Sequence, residues 1–135
     1  MFEGSRAKFI KIFYNPQAWH DTFLILNFFV SFTLLLLIWG EVIWALVAFR
    51  GATFLTLHYS IYFGVDWLGS VYNFITFGAI ATAVFAANFI LANWIFNKRK
   101  ILSYYLAASA SLILIFMLVV VSLAAYINWS NPGMS

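Results

Sequence analysis

The sequence predicts an all-α membrane protein with three transmembrane helices, an N-terminal interfacial helix, and an extended extracytoplasmic cap between helices 1 and 2. Three observations carry that prediction. Hydrophobic residues fill 65% of the 135 positions and charged residues only 8%, whereas a soluble domain has about 25% charged residues. With a mean hydropathy of +0.97, the chain cannot cover a globule with polar surface and must use lipid as solvent. Next, three apolar runs each approach or exceed the roughly 20 residues that a span requires. Finally, six of the seven Lys and Arg residues gather where an odd number of spans puts them on one side. The length leaves room for one membrane domain. Without cysteine there is no disulfide framework, thiolate metal site or cysteine nucleophile.

Residues 1–15 read as a cytoplasmic interfacial amphipathic segment. "SRAKFIKIFY" interleaves Lys8 and Lys11 with Phe9, Ile10, Ile12 and Phe13. That predicts a short helix with its apolar side among headgroups, and Arg6, Lys8 and Lys11 toward anionic phosphates. A positive-inside anchor without lipid specificity accounts for the same residues. Asn15 before Pro16 reads as an N-cap and first helical residue.

Residues 16–50 then form the first transmembrane helix and its outer extension, beginning near Pro16. The apolar run from Thr22 to Trp39 is too long for a signal-peptide core, so an uncleaved signal anchor is expected. Asp21 caps the helix or occupies its first turn, beside His20 at headgroup level. Gly40, and the roughly 25 Å that Phe23 to Trp39 already cover at helical rise, place the end of the span near Trp39. Glu41 then marks the outer interface. If the helix instead runs unbroken to Phe49, Glu41 is an intramembrane acid that must face protein or water, the usual setting of proton relays and ion ligands.

Residues 51–70 form the aromatic cap. Leu55, Leu57, Tyr59, Ile61 and Phe63 alternate with Thr56, His58, Ser60 and Tyr62, a period of two that marks an extended segment with one apolar side. Its tyrosines and tryptophan suit a membrane interface. Gly64 can turn the chain and Asp66 can cap the second helix.

Residues 71–97 give the second transmembrane helix, 98–100 a basic cytoplasmic turn, 101–128 the third helix, and 129–135 an outer tail. In lipid, small residues permit close helix approach, because apolar area alone supplies no drive. The row Ala79, Ala83 and Ala87, flanked by Gly78, is therefore expected to meet Ala107 and Ser111 across the hairpin. Asn27, Asn88 and Asn93 are expected to donate across helix contacts. "LILIFMLVVV" in the third helix has no small or polar face and should meet lipid or a partner. Lys98, Arg99 and Lys100 join Arg6, Lys8 and Lys11 on one side as lipid-headgroup contacts, with Arg50 alone on the other. The positive-inside bias makes the first side cytoplasmic and sends the C-terminus outside.

"TLHYSIYFGVD" resembles the short signature in the N-terminal domain of the SdpI-like immunity family, and the layout resembles small bacterial membrane proteins of unknown function. The signature runs proline, aliphatic, histidine, aromatic, asparagine, then glycine and aspartate, between two membrane helices. His58, Tyr59, Gly64 and Asp66 match in type. Thr56 and Ser60 stand where the signature has proline and asparagine, and Gly64 lies one place later. The resemblance implies a multi-pass protein of a bacterial cytoplasmic membrane, with His58, Tyr59 and Asp66 as outer-cap contacts in an immunity or sensing role.

The chemical inventory is short. Glu3, Asp21, Glu41 and Asp66 are the acids and His20 and His58 the histidines. No paired carboxylate, phosphate-binding glycine loop, nucleophile elbow or HExxH pattern occurs. The two histidines fall near opposite membrane faces, so they cannot hold a haem between helices within one copy. Asn128 to Ser130 fit a glycosylation acceptor, but at a membrane surface where an enzyme could hardly reach. The expectation is a non-enzymatic protein without cofactor or metal. It would be a subunit or scaffold of a membrane assembly, its partners the lipid bilayer and either its own copies or other membrane subunits, and not nucleic acid. The alternatives are immunity or sensing through the cap, and ion or proton transport using Glu41.

Overall fold

A computed structural model describes residues 15–52, 55–60 and 64–130, with the backbone alone for 56–60 and 64–68. The interfacial segment with Arg6, Lys8 and Lys11, and tail residues 131–135, lie outside the described residues. Among the described residues, three helices are long and apolar enough to cross a membrane. They are α1 (Thr22–Ala48), α2 (Phe74–Ile95) and α3 (Lys100–Ser130). Between α1 and α2, strands β1 (Leu55–Ser60) and β2 (Gly64–Gly69) pair as an antiparallel hairpin. β1 runs against α3, and Leu55 is buried in the core.

The buried positions step by three and four residues along each helix. In α1 they are Leu24, Ser31, Leu35, Ile38, Val42 and Ala45, continued by Phe49. In α3, Ser103, Ala107, Ala110, Leu114, Val121, Ala124 and Asn128 follow the same rhythm, and Ser111 and Ala125 widen the buried stripe. In α2 it runs through Phe74, Gly78, Ala81 and Ala92, with Phe85 and Asn88 half-buried. A mean spacing of 3.5 is the signature of ridges and grooves meeting at a shallow left-handed crossing.

This rhythm corrects the expected helix contact. Gly78, Ala107 and Ser111 are buried as expected, but Ala79, Ala83 and Ala87 are exposed. Each step of one residue turns 100° around a helix, so Ala79 is carried well away from the face that Gly78 shares with Ala81. The close α2–α3 approach instead falls at Ala92, whose carbonyl accepts the Ser103 hydroxyl at 2.7 Å.

Two apolar clusters are divided by a polar layer. One surrounds Ile38, Val42, Phe74, Leu114 and Val121; the other joins Ala18, Leu24, Ala92, Phe96 and Ala107. Between them the Ser31 and Ser111 hydroxyls lie 2.8 Å apart, and Ser111 donates to Asn27 Oδ1 at 3.2 Å. Asn27 and Asn88 do reach α3 serines, but as acceptors: Ser109 donates to Asn88 Oδ1 at 3.4 Å. Both amide groups donate within their own helices, to Phe23 O and Val84 O. Such bonds average about 0.6 kcal/mol in membrane proteins, with a maximum of about 1.7. A Ser31→Ala and Ser111→Ala double-mutant cycle, read by unfolding in detergent, should give a coupling of about 0.5–1.5 kcal/mol. Strictly additive costs would show that the layer does not join the helices.

The ends of α1 differ from expectation. Gly40 does not stop the helix, which runs on to Ala48. A glycine inside a helix costs about 1 kcal/mol, while opening backbone hydrogen bonds in lipid costs several per group, so continuation wins. The stop comes at Gly51, whose φ of 95° suits a residue without Cβ. At the other end, Asn15 does not cap the membrane helix. Its Oδ1 accepts from Gln17 N at 3.1 Å, before a 3-10 turn at Ala18–His20. Asp21 caps α1, accepting from Phe23 N and Leu24 N.

The segment before α2 also departs from the sequence reading. Ser70 rather than Asp66 caps the 3-10 turn Val71–Asn73 that leads into α2, accepting from Tyr72 N at 3.4 Å. Asp66 lies within β2, and irregularities at Leu57 and Asp66 interrupt the pairing between strands. The uninterrupted period of two does not survive along this backbone.

Candidate functional site

Glu41 is held in mid-helix by the continuity of α1, seven residues before its last residue, or roughly 10 Å along the axis. Across from it stands Ser122 of α3, whose hydroxyl lies 2.7 Å from Glu41 Oε1 and 2.8 Å from Oε2. One hydroxyl proton serves one oxygen at a time, so the carboxylate keeps most of its acceptor capacity. No described residue forms an ion pair with Glu41. Glu41 and Ser122 open into a cleft of about 330 Å³ lined also by Trp44, Ala125, Tyr126 and Trp129. The Trp44 and Trp129 rings meet at 5.7 Å and 46°, tying the C-terminal ends of α1 and α3 together.

A second charged cluster sits at the opposite end of the bundle. Asp21 Oδ2 accepts the Tyr104 hydroxyl at 2.7 Å and lies 3.1 Å from Lys100 Nζ. Burial pushes the Asp21 carboxyl up, but the Tyr104 hydroxyl, Lys100 and the Leu24 N–H outweigh it and hold it below its ordinary value. Lys100 also lies over the Phe96 and Tyr104 rings, and Lys98 over Trp94. Asn15 adds a polar clasp, donating to Asn93 O at 3.2 Å and to Asn97 Oδ1 at 3.1 Å. The arrangement ties the start of α1 to the α2–α3 turn.

Other places named from sequence fare unevenly. His58 and Tyr59 fall in β1 opposite Trp67 and Val65 in register, and Asp66 in β2; their side chains lie outside what is described. His20 is exposed beside Asp21. Arg99 and Lys98 are exposed in the turn. The Asn128 side chain is buried and donates to Ala124 O, consistent with an acceptor that no transferase reaches. An apolar groove of about 280 Å³ between α1 and α2 is lined by Trp19, Phe28, Phe85 and Phe89 among others. Among the described residues no group of three or more His, Cys, Asp or Glu side chains is placed to hold a metal ion.

Sequence reasoning missed Ser122 and Tyr104. Ser122 interrupts "LVVV" and "LAAY", and a lone hydroxyl in such a run was the available signal; its distance of 81 residues from Glu41 concealed the pairing. Compared with protein-family models, with curated proteins and with solved structures, the chain gives no significant match.

Proposed function

We propose that this multi-pass membrane protein is a non-enzymatic subunit or scaffold of a membrane assembly, docking to its partner through the outward face of α2. The observation that carries the reading is the alanine row Ala79, Ala83 and Ala87, exposed on the side of α2 that turns away from α1 and α3. Small residues four apart let another helix backbone come close, and close approach drives helix association in lipid. α2 also has the least of its surface covered. In its most apolar stretch 17% of residues are buried, against 22% in α1 and 33% in α3. The partner is a second copy or another membrane subunit. On this reading the protein lies in a bacterial cytoplasmic membrane, with the Lys98–Lys100 turn inside and the hairpin and C-terminus outside.

Native mass spectrometry of the protein in lipid nanodiscs tests this directly. A complex of fixed stoichiometry is expected, and Ala83→Leu should dissociate it while leaving helix content and the unfolding midpoint unchanged. A monomer in the unaltered protein, or a complex indifferent to Ala83→Leu, would sink the proposal.

A second reading, ion or proton transport through Glu41, is favoured by one observation: the unbroken α1 that carries this acid beside Ser122. Glu41→Gln should then abolish flux in proteoliposomes. Unchanged flux removes the reading.

A further inference from the structure

The cleft between the C-terminal ends of α1 and α3 gathers polar and aromatic side chains in one place. Its lining includes the Glu41 carboxylate, the Ser122 hydroxyl bonded to it, and the large aromatic side chains of Trp44, Tyr126 and Trp129. The aromatic residues are not there because they are buried. Trp44, Tyr126 and Trp129 are 45%, 67% and 63% exposed, so part of each side chain stays uncovered even though the Trp44 ring packs against Trp129 and Phe49. Among the described residues no cation pairs with Glu41: Arg50, the next basic residue along the chain, lies nine positions on and forms no ion pair with it.

Depth sharpens the point. α1 has 27 residues, roughly 40 Å of helix, against about 30 Å of hydrocarbon. With α1 centred, Glu41 sits roughly 5 Å inside the hydrocarbon boundary. A carboxylate there is costly unless it is paired or solvated. Trp129, seven residues beyond Ser122, stands roughly 10 Å nearer the surface, so the cleft runs from the acid outward to the interface.

We propose that this cleft binds an alkylated ammonium group, with its positive charge against Glu41 and its methyl or methylene groups against the Trp44, Tyr126 and Trp129 rings. A carboxylate supplies the counter-charge, and aromatic faces attract a weakly hydrated cation through their quadrupoles. Inorganic cations fit poorly. Calcium takes six to eight oxygen ligands and magnesium an octahedron, whereas the lining side chains offer the two oxygens of Glu41 and the hydroxyls of Ser122 and Tyr126. The ammonium comes either from a choline-type lipid headgroup or from a free amine. The proposal concerns a face distinct from the alanine row of α2 and stands without it.

The test uses the full-length protein in nanodiscs of phosphatidylglycerol alone or mixed with phosphatidylcholine, with tetramethylammonium as the soluble probe. Binding is read as lipid retained in native mass spectra and as quenching or shift of tryptophan fluorescence. Selective retention of phosphatidylcholine identifies a lipid headgroup; saturable tetramethylammonium binding in pure phosphatidylglycerol identifies a free amine. Glu41→Gln preserves shape and the Ser122 contact, and should weaken either signal about tenfold, as should Trp129→Ala. Trp129→Phe should recover part of it, which lost folding would not allow. No binding of either probe, equal competition by sodium, or undiminished binding to Glu41→Gln would overturn the proposal.

Discussion

Gly78→Val is expected to destabilise the bundle by about 1–3 kcal/mol, the usual cost of forcing extra carbons into a filled site. A Cβ at residue 78 would stand 3.0 Å from Trp39 Cε2 and Cζ2 and 3.1 Å from Cη2. The indole cannot simply swing aside. Its Nε1–H donates to Thr82 Oγ1 at 3.1 Å, and the Thr82 hydroxyl donates in turn to Gly78 O at 2.8 Å. Moving the ring would leave a polar N–H without a partner in lipid, where an unsatisfied group costs several kcal/mol. Gly40, next to Trp39 in the chain, is the control. A Cβ added there would meet nothing within 4 Å, so Gly40→Ala should stabilise by up to about 1 kcal/mol through helix propensity. Thermal unfolding of both variants in one detergent decides the matter. Equal effects would mean that Trp39 is not seated on Gly78.

Asp21→Ala should cost about 2 kcal/mol, combining a lost N-cap with a charged hydrogen bond that leaves Tyr104 unpartnered. Lys100 adds little, because its side chain is 57% exposed and such pairs are screened. Asp21→Asn separates the parts, since its side-chain oxygen still caps α1 but carries no charge. The pH dependence follows from the direction of the shift. The folded carboxyl titrates below its ordinary value, so the unfolded chain takes up the proton first as pH falls. The stabilisation is therefore complete above the ordinary carboxylate range of about 4 and is lost as pH falls through it and below. The unfolding midpoint of the protein should fall across that window, and that of Asp21→Asn should fall less. Identical acid transitions would show that Asp21 is not coupled to folding.

The two predictions rest on different kinds of legibility. Composition alone excludes a soluble globule, and span length with the charge distribution marks three helices, because a bilayer accepts few other solutions for so apolar a chain. The basic turn and the capping role of Asp21 were likewise readable from local chemistry, whereas the run "LILIFMLVVV" of α3 does not simply face outward: Leu114 and Val121 within it are fully buried in the core. Local signals misled where several competed. Gly40 reads as a stop until the cost of opening a helix in lipid is set against the small propensity loss. Ala79, Ala83 and Ala87 read as a seam until the three-and-four rhythm of Phe74, Gly78 and Ala81 is followed around the helix.

What residues do at long range was beyond the sequence. Nothing near Glu41 announces Ser122, nothing near Asp21 announces Tyr104, and Ser31 gives no sign of Ser111. Each pair joins residues at least 80 positions apart. The apolar pattern specifies which solvent each helix meets, because transfer between water and lipid depends on the residue alone. Which polar groups share a layer depends on the rotation and axial offset of one helix against another, and those are settled only when all three helices pack together.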